Sequence, residues 1–225
     1  MELYPVGVRS RKINNINGLT MHVLEAGYEN KETKPCIILL HGFPELAYSW
    51  RKILIPLANA GYYVIAPDQR GYGYTEGWND NYKGDISEFE MTNLVKDIVS
   101  LVFSLGKKSI DCLVGHDFGS IVAAHATLIR PDIFKSVVLM SAPFDGVPLI
   151  NFEVKEEDII DIHKEMASLN KPRKHYQWYY ATAQANKDMI NSKQGLKNFL
   201  RAYYHVKSGD WEGNKPFKLI LLYFV

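Results

Sequence analysis

Leu113-Val114-Gly115-His116-Asp117-Phe118-Gly119-Ser120 is the stretch on which the fold turns. Residues 110–114 read as a short buried strand, and 120–129 read as a helix with Ile121, Ala124 and Leu128 along one face. Between them lies small-x-Asp-x-small, flanked by glycine. This is the pattern of a strand turning so sharply into a helix that the central side chain is left exposed above the sheet. Glycines suit such a turn because its backbone is strained and the helix must pass close to the strand. Serine is the usual central residue; here it is Asp117. A carboxylate at that point is suited to attack on saturated carbon, giving an alkyl-enzyme ester that water can cleave. Asp-x-Gly between strand and helix is also an ordinary N-cap, with the carboxylate accepting from the first turn. On this stretch alone the N-cap is the simpler reading.

Outward from the turn, strands and helices alternate. Residues 19–26 predict a strand in a hairpin with the segment near Ile13, and 36–40 and 62–66 are continuous apolar runs expected of strands buried on both faces. Residues 49–60 read as a helix ending at Gly61. Met91, Leu94, Val95, Ile98, Leu101, Val102 and Leu105 form an amphipathic helix that stops at Gly106. A further strand is expected over 134–140. This alternation predicts a doubly wound, mostly parallel sheet with ligands at the carboxyl ends of its strands. From about 154 to 211 the strand signal disappears, and aromatic and charged residues recur at helical spacings, as in a helical insertion over a sheet.

Two loops upstream of Asp117 tip the balance towards a nucleophile. His41-Gly42-Phe43-Pro44-Glu45 follows the strand over 36–40, and its Gly and Pro force a turn that can aim the Phe43 N–H into a cleft. Asp68-Gln69-Arg70-Gly71-Tyr72-Gly73 follows the strand over 62–66. Its Gly-x-Gly lacks the third glycine and following helix of a dinucleotide loop.

In this order and spacing, the three motifs resemble the epoxide hydrolases of the α/β-hydrolase superfamily, over the chain from near its start to about residue 215. The resemblance implies an α/β-hydrolase fold, with residues 1–145 as the N-terminal part of the core, 146–215 as a helical lid and 216–225 as an atypical apolar tail. It implies Asp117 as nucleophile, the backbone N–H groups of Phe43 and Phe118 as an oxyanion hole, and Tyr176, in His175-Tyr176-Gln177-Trp178-Tyr179-Tyr180, as the lid phenol that donates to the epoxide oxygen. Packing of the lid is the other reading of these aromatics, and the one favoured for Tyr179 and Tyr180. The second lid tyrosine is not placed, since Tyr203 and Tyr204 fit no motif well. Glu45 is a candidate to place the hydrolytic water, His41 and His116 are expected to be structural, and Asp68 and Arg70 are expected to pair and hold the loops.

Hydrolysis of such an ester needs a histidine base oriented by a carboxylate, which in this superfamily follow the lid. Seven residues, apolar or aromatic, follow Lys218, so the fold is expected to be incomplete at the C-terminus, with the strand over 134–140 exposed at an edge. His125, His163, His175 and His205 fall at positions that do not suit the base. The expected activity is conversion of a small apolar epoxide and water to a vicinal diol without cofactor, through an ester that persists in this chain. The alternatives are a dehalogenase using the same aspartate, against which Phe118 lacks the indole N–H of a halide site, and a non-catalytic truncated fragment. The formal charge of +1 with scattered signs gives no footprint for nucleic acid, and the apolar runs fall short of the roughly 20 residues of a membrane span. Cys36 and Cys112 show no metal-ligand spacing and are expected to be buried thiols; a cytoplasmic protein is expected, with its oligomeric state open.

Overall fold

The computed structural model describes residues 3–144, 146, 161–173 and 176–213. Contacts divide the chain into two compact units, Met1–Pro148 and Leu149–Val225.

The first unit is built on six strands: β1 (Arg9–Ile16), β2 (Leu19–Ala26), β3 (Cys36–Leu40), β4 (Tyr63–Pro67), β5 (Cys112–His116) and β6 (Val137–Met140). They lie in the order β1-β2-β4-β3-β5-β6. The β1–β2 hairpin and the β2–β4 pair are antiparallel, while β4, β3, β5 and β6 run parallel. From β3 the chain winds one way to β4, then crosses to the other side for β5 and β6. The loops after β3 and β5 therefore leave the sheet side by side, at the switch point where such folds bind ligands.

Every residue of β3 and β4 is buried, because each face of the sheet carries helices. Ile38, Leu40, Tyr63 and Ile65 point to one face and pack with Leu94, Val95, Ile98 and Leu101 of α2 (Met91–Ser104) and Val122 and Ala126 of α3 (Phe118–Ile129). The alternate residues Ile37, Leu39, Val64 and Ala66 point the other way, onto Leu54 of α1 (Arg51–Asn59) and the short 3₁₀ turn Ala47–Trp50. Gly61 and Gly106 follow α1 and α2 at positive φ, as helix-terminating glycines do.

The face of α3 differs from expectation. Ile121 and Leu128 are 36% and 56% exposed, and the sheet is met by Gly119, Val122, Ala123 and Ala126. A helix leaving the sheet through so tight a turn approaches it closely, so its small residues face inward and its bulky ones face away. On the adjoining edge of the sheet, Val138 and Met140 of β6 are 46% and 41% exposed. Cys36 is a buried free thiol; Cys112 is also free but only half-buried.

Below the parallel strands, Glu25 of β2 is fully buried and carries several partners at once. Its carboxylate accepts from Tyr63 Oη (2.5 Å), Arg9 Nε (2.7 Å) and Arg11 Nε (2.5 Å). Burial would raise this carboxyl, but the hydrogen bonds from Arg11, Tyr63 and Arg9 prevail and hold it below its ordinary range. The second unit contributes, among the described residues, α4 (Ile162–Ala167), α5 (Tyr176–Tyr180), α6 (Ala183–Ile190) and α7 (Gly195–Val206), and no strand. No helix of the described residues is long and apolar enough to cross a membrane.

Two consequences are measurable. Glu25→Gln leaves two arginines facing a neutral amide, and should cost about 1–3 kcal/mol in chemical denaturation, the range for a broken buried charged hydrogen bond. Because the folded Glu25 carboxyl titrates below the unfolded one, its stabilisation is complete above the ordinary glutamate range and is lost as pH falls through its lowered value. The melting temperature of the wild type should therefore fall more steeply than that of Glu25→Gln below about pH 4.5; parallel curves would show that the carboxylate is not the acid-sensitive element.

Candidate active site

Asp117 stands between β5 and α3 with φ 54° and ψ −122°. That left-handed conformation is costly for a side chain with a Cβ, about 1–3 kcal/mol, and persists only where the surroundings over-determine it. Here they do. Asp117 N–H donates to Met140 O at the end of β6 (2.9 Å), and the next turn is pinned by Ser120, whose hydroxyl donates to Gly115 O (2.7 Å) and accepts from Met140 N–H (3.0 Å). A methyl group on Gly115 would overlap the Gly119 carbonyl, and one on Gly119 would overlap the carbonyls of Leu40 and His41. Strand, turn and helix are in direct backbone contact.

The loop after β3 supplies the other wall. Phe43 N–H donates to Asp117 Oδ1 (3.1 Å), and Phe118 N–H donates to the same oxygen (2.7 Å). Oδ1 is thus held between donors from two separate segments, whereas Oδ2 accepts no hydrogen bond among the described residues. Asp117 does occupy the N-cap position of α3. It departs from an ordinary N-cap in two ways: its φ is positive, and its second donor comes from another loop. Gly42 makes this approach possible, since a methyl there would overlap Asp117 Cβ and lie within 2.8 Å of Oδ1.

Around this pair the polar groups hold the loops. His41 accepts from Gln69 N–H at Nε2 (3.1 Å), which leaves Nδ1 to donate to Gly42 O (2.8 Å). Burial pushes the His41 imidazole down, consistent with a neutral ring serving as a staple. Glu45 Oε2 accepts from Gly42 N–H (3.2 Å) and lies 2.9 Å from His116 Nδ1, so His116 braces the turn from the other side. Among the described residues, no histidine side chain hydrogen-bonds Asp117. His125 lies on α3 with Nδ1 at Ile121 O (2.8 Å). His175 and the side chain of His163 lie outside the described residues.

Asp68 and Arg70 do hold loops, but not by pairing with each other. Asp68 Oδ1 accepts from Ala47 N–H (2.8 Å), and Oδ2 accepts from Tyr74 N–H (3.0 Å) and lies 2.7 Å from His22 Nδ1. Burial opposes its charge, yet the His22 ring and these N–H groups keep its carboxyl below the usual range. Gly73, at φ 55°, lies directly over this carboxylate, where a Cβ would collide with it. Arg70 turns instead to Asp97 of α2, through Nε (2.8 Å) and NH2 (2.7 Å), and to Glu88 (2.6 Å). No helix opens at the Gly-x-Gly; the next is the short 3₁₀ turn Ser87–Phe89, followed by α2 at Met91. Tyr72, in the same loop, stacks edge-on to His41. Burial pushes its phenol up to about 12, with a further push from the Asp117 charge. The motif contained Tyr72, but nothing in its spacing marked it as a neighbour of the carboxylate.

In the second unit Tyr176 opens α5 and is 43% exposed. Tyr180 lies edge-on to Tyr176 and to Tyr203 of α7 (ring centroids 6.2 and 6.4 Å), and Tyr179 donates its hydroxyl to Asp188. Tyr203 Oη is buried, with no hydrogen-bond partner among the described residues. Lys207 Nζ lies over the rings of both Tyr176 and Tyr203, at 4.9 and 4.6 Å from their centroids. The sequence left Tyr203 unplaced and did not single out Lys207; their spacing, one helical turn, was the available signal. Among the described residues, no group of three or more His, Cys, Asp or Glu is arranged to hold a metal ion.

Comparison with known proteins converges on the same architecture. A family model for the alpha/beta hydrolase fold matches residues 35–199. Epoxide hydrolase 3 of Siraitia grosvenorii is 42% identical over 130 residues, covering 58% of this chain and 38% of that protein. Epoxide hydrolase B of Mycobacterium tuberculosis is 33% identical over 202 residues, covering 88% of this chain and 54% of that one. Among solved structures, epoxide hydrolase I of potato (Solanum tuberosum) superposes with a TM-score of 0.67 at 30% identity, covering 88% of this chain and 56% of the potato chain. The chain thus spans about half the length of these relatives, or less. With the matched region extending over most of its residues, the chain belongs to the α/β-hydrolase fold family.

Proposed function

We propose that this chain acts on epoxides as an epoxide hydrolase does, with Asp117 as the nucleophile. The observation that supports it best is the asymmetric holding of the carboxylate, Oδ1 between the N–H groups of Phe43 and Phe118 and Oδ2 left for attack. In the first step an Oδ2 lone pair forms a bond to one epoxide carbon. The C–O bond of the ring breaks, its electron pair passes to the epoxide oxygen, and that oxygen takes a proton from a phenol. We assign this phenol to Tyr176, with Tyr203, whose hydroxyl lacks a partner among the described residues, as the second donor. Oδ1 becomes the carbonyl oxygen of the ester.

In the second step water attacks that carbonyl, and negative charge develops on Oδ1, between the two N–H donors. One such donor contributes about 2.7–4 kcal/mol in comparable sites. The proton of the attacking water must pass to a base, and the described residues bring no histidine onto Asp117. Ester formation needs no such base, so the ester is the intermediate to be sought at Asp117. Residues 1–145 then act as the core and 146–215 as the lid of this reading; the proposed tail, 216–225, lies outside the described residues. The substrate class is a small apolar epoxide; that it is an epoxide is supported by the relatives named as epoxide hydrolases.

Incubation with styrene oxide followed by peptide mass spectrometry tests this reading. The peptide containing Asp117 should gain the mass of one epoxide, removable by alkaline hydroxylamine, and Asp117→Asn should gain none. Unmodified Asp117, or adducts confined to histidine and cysteine, would sink the proposal. Gly42→Ala should slow ester cleavage under mild alkali by about 10²–10³-fold, the cost of losing one oxyanion donor. Chloride release from a haloalkane without reaction at the epoxide would instead favour a dehalogenase.

A further inference from the structure

We infer that Lys207 is a positioning residue for the donor phenols: its ammonium lies over the faces of both Tyr176 and Tyr203 and so ties the two rings together. The inference rests on the epoxide-opening role proposed for those phenols. Tyr203 and Lys207 are one turn apart at the end of α7, and Lys207 is the residue that caps the helix, its own N–H donating to Tyr204 O (3.2 Å). The carbonyl end of a helix favours a cation. Tyr176 belongs to a different helix, so the ammonium ties α5 to the last turn of α7. Tyr180 completes the arrangement by presenting edge contacts to both rings.

The chemistry explains why a cation belongs there. When the epoxide ring opens, a proton leaves the phenol oxygen for the developing alkoxide, and the electron pair of the O–H bond stays on the phenol. The ammonium keeps its own protons throughout. Its attraction to a ring face is modest in the ground state and grows as that ring gains negative charge. Lys207 therefore favours the transition state over bound substrate, which is the condition for raising the rate of the step rather than affinity. On the third ring burial and the neighbouring Tyr203 push the Tyr180 phenol up, and the Lys207 charge acts against that push.

Rapid-quench measurement of ester formation with styrene oxide in the wild-type 225-residue chain and its variants tests the inference. Lys207→Met, which keeps an unbranched stem without charge, should slow ester formation about tenfold, within reach of a cation–π contact strengthened in the transition state. The concentration dependence should stay within about twofold, and Lys207→Arg should recover most of the rate. The deciding comparison uses Tyr176→Phe with Tyr203→Phe, which keeps both ring faces and removes both hydroxyls. In that background Lys207→Met should have little further effect. An equal slowing in both backgrounds, or a change in concentration dependence alone, would overturn the inference in favour of a purely structural lysine. Alkaline titration of phenolate absorbance gives a readout independent of catalysis: in Lys207→Met the last part of the rise should move to higher pH, since the cation that counters the upward push on Tyr180 is gone. If the wild type forms no ester, the role of Asp117 fails and the titration decides the field of Lys207; superimposable titrations would overturn the inference.

Discussion

The grip of two backbone N–H groups on one oxygen of Asp117 is the constraint around which the first unit is arranged. To deliver it, the chain must bring the first residue of α3 and the turn after β3 to the same point in space. It must also hold Asp117 in a left-handed conformation that costs about 1–3 kcal/mol. Each demand has a visible source. The neighbouring parallel strands β3 and β5 release their loops side by side at the switch point. Gly42, Gly115 and Gly119 allow backbone and carboxylate to meet where any Cβ would collide. Ser120 and Met140 fasten the turn to the end of β6.

Outside that grip, charged and polar side chains hold loops rather than face substrate. His41 and Gln69 tie the turn after β3 to the loop after β4, through Nε2 of the ring and the Gln69 amide (2.6 Å to His41 O). Asp68 gathers two N–H groups and the His22 ring, and Arg70 reaches across to α2. These are buried ionised groups, costly unless fully partnered. The loops are set rigidly around Asp117, as preorganised catalysis requires.

Much of this was legible in the sequence because it rests on local rules. The continuous apolar runs identified β3 and β4, since only strands covered on both faces dispense with polar residues. The Gly-x-Asp-x-Gly stretch announced the sharp turn because only glycine allows backbone so close. The errors came where contact, not pattern, decides. Ile121 and Leu128 are large and apolar at one-face spacing, but the tight turn brings the helix so near the sheet that glycine, alanine and valine meet it instead. Asp68 and Arg70 are two residues apart and of opposite sign, yet they turn instead to His22 and Asp97, 46 and 27 residues away. Tyr72 and Tyr203 sit in segments with several tyrosines, where spacing alone cannot tell the surroundings of one ring from those of another.

The most direct test of the central claim is a crystal structure of this chain after exposure to styrene oxide. The account predicts a covalent bond from Asp117 Oδ2 to an epoxide carbon. Oδ1 should remain within about 3 Å of the N–H groups of Phe43 and Phe118, hydrogen-bond range for N–H to O. An ester on Oδ1, a carboxylate rotated out of that grip, or an adduct on another side chain with Asp117 untouched would contradict it.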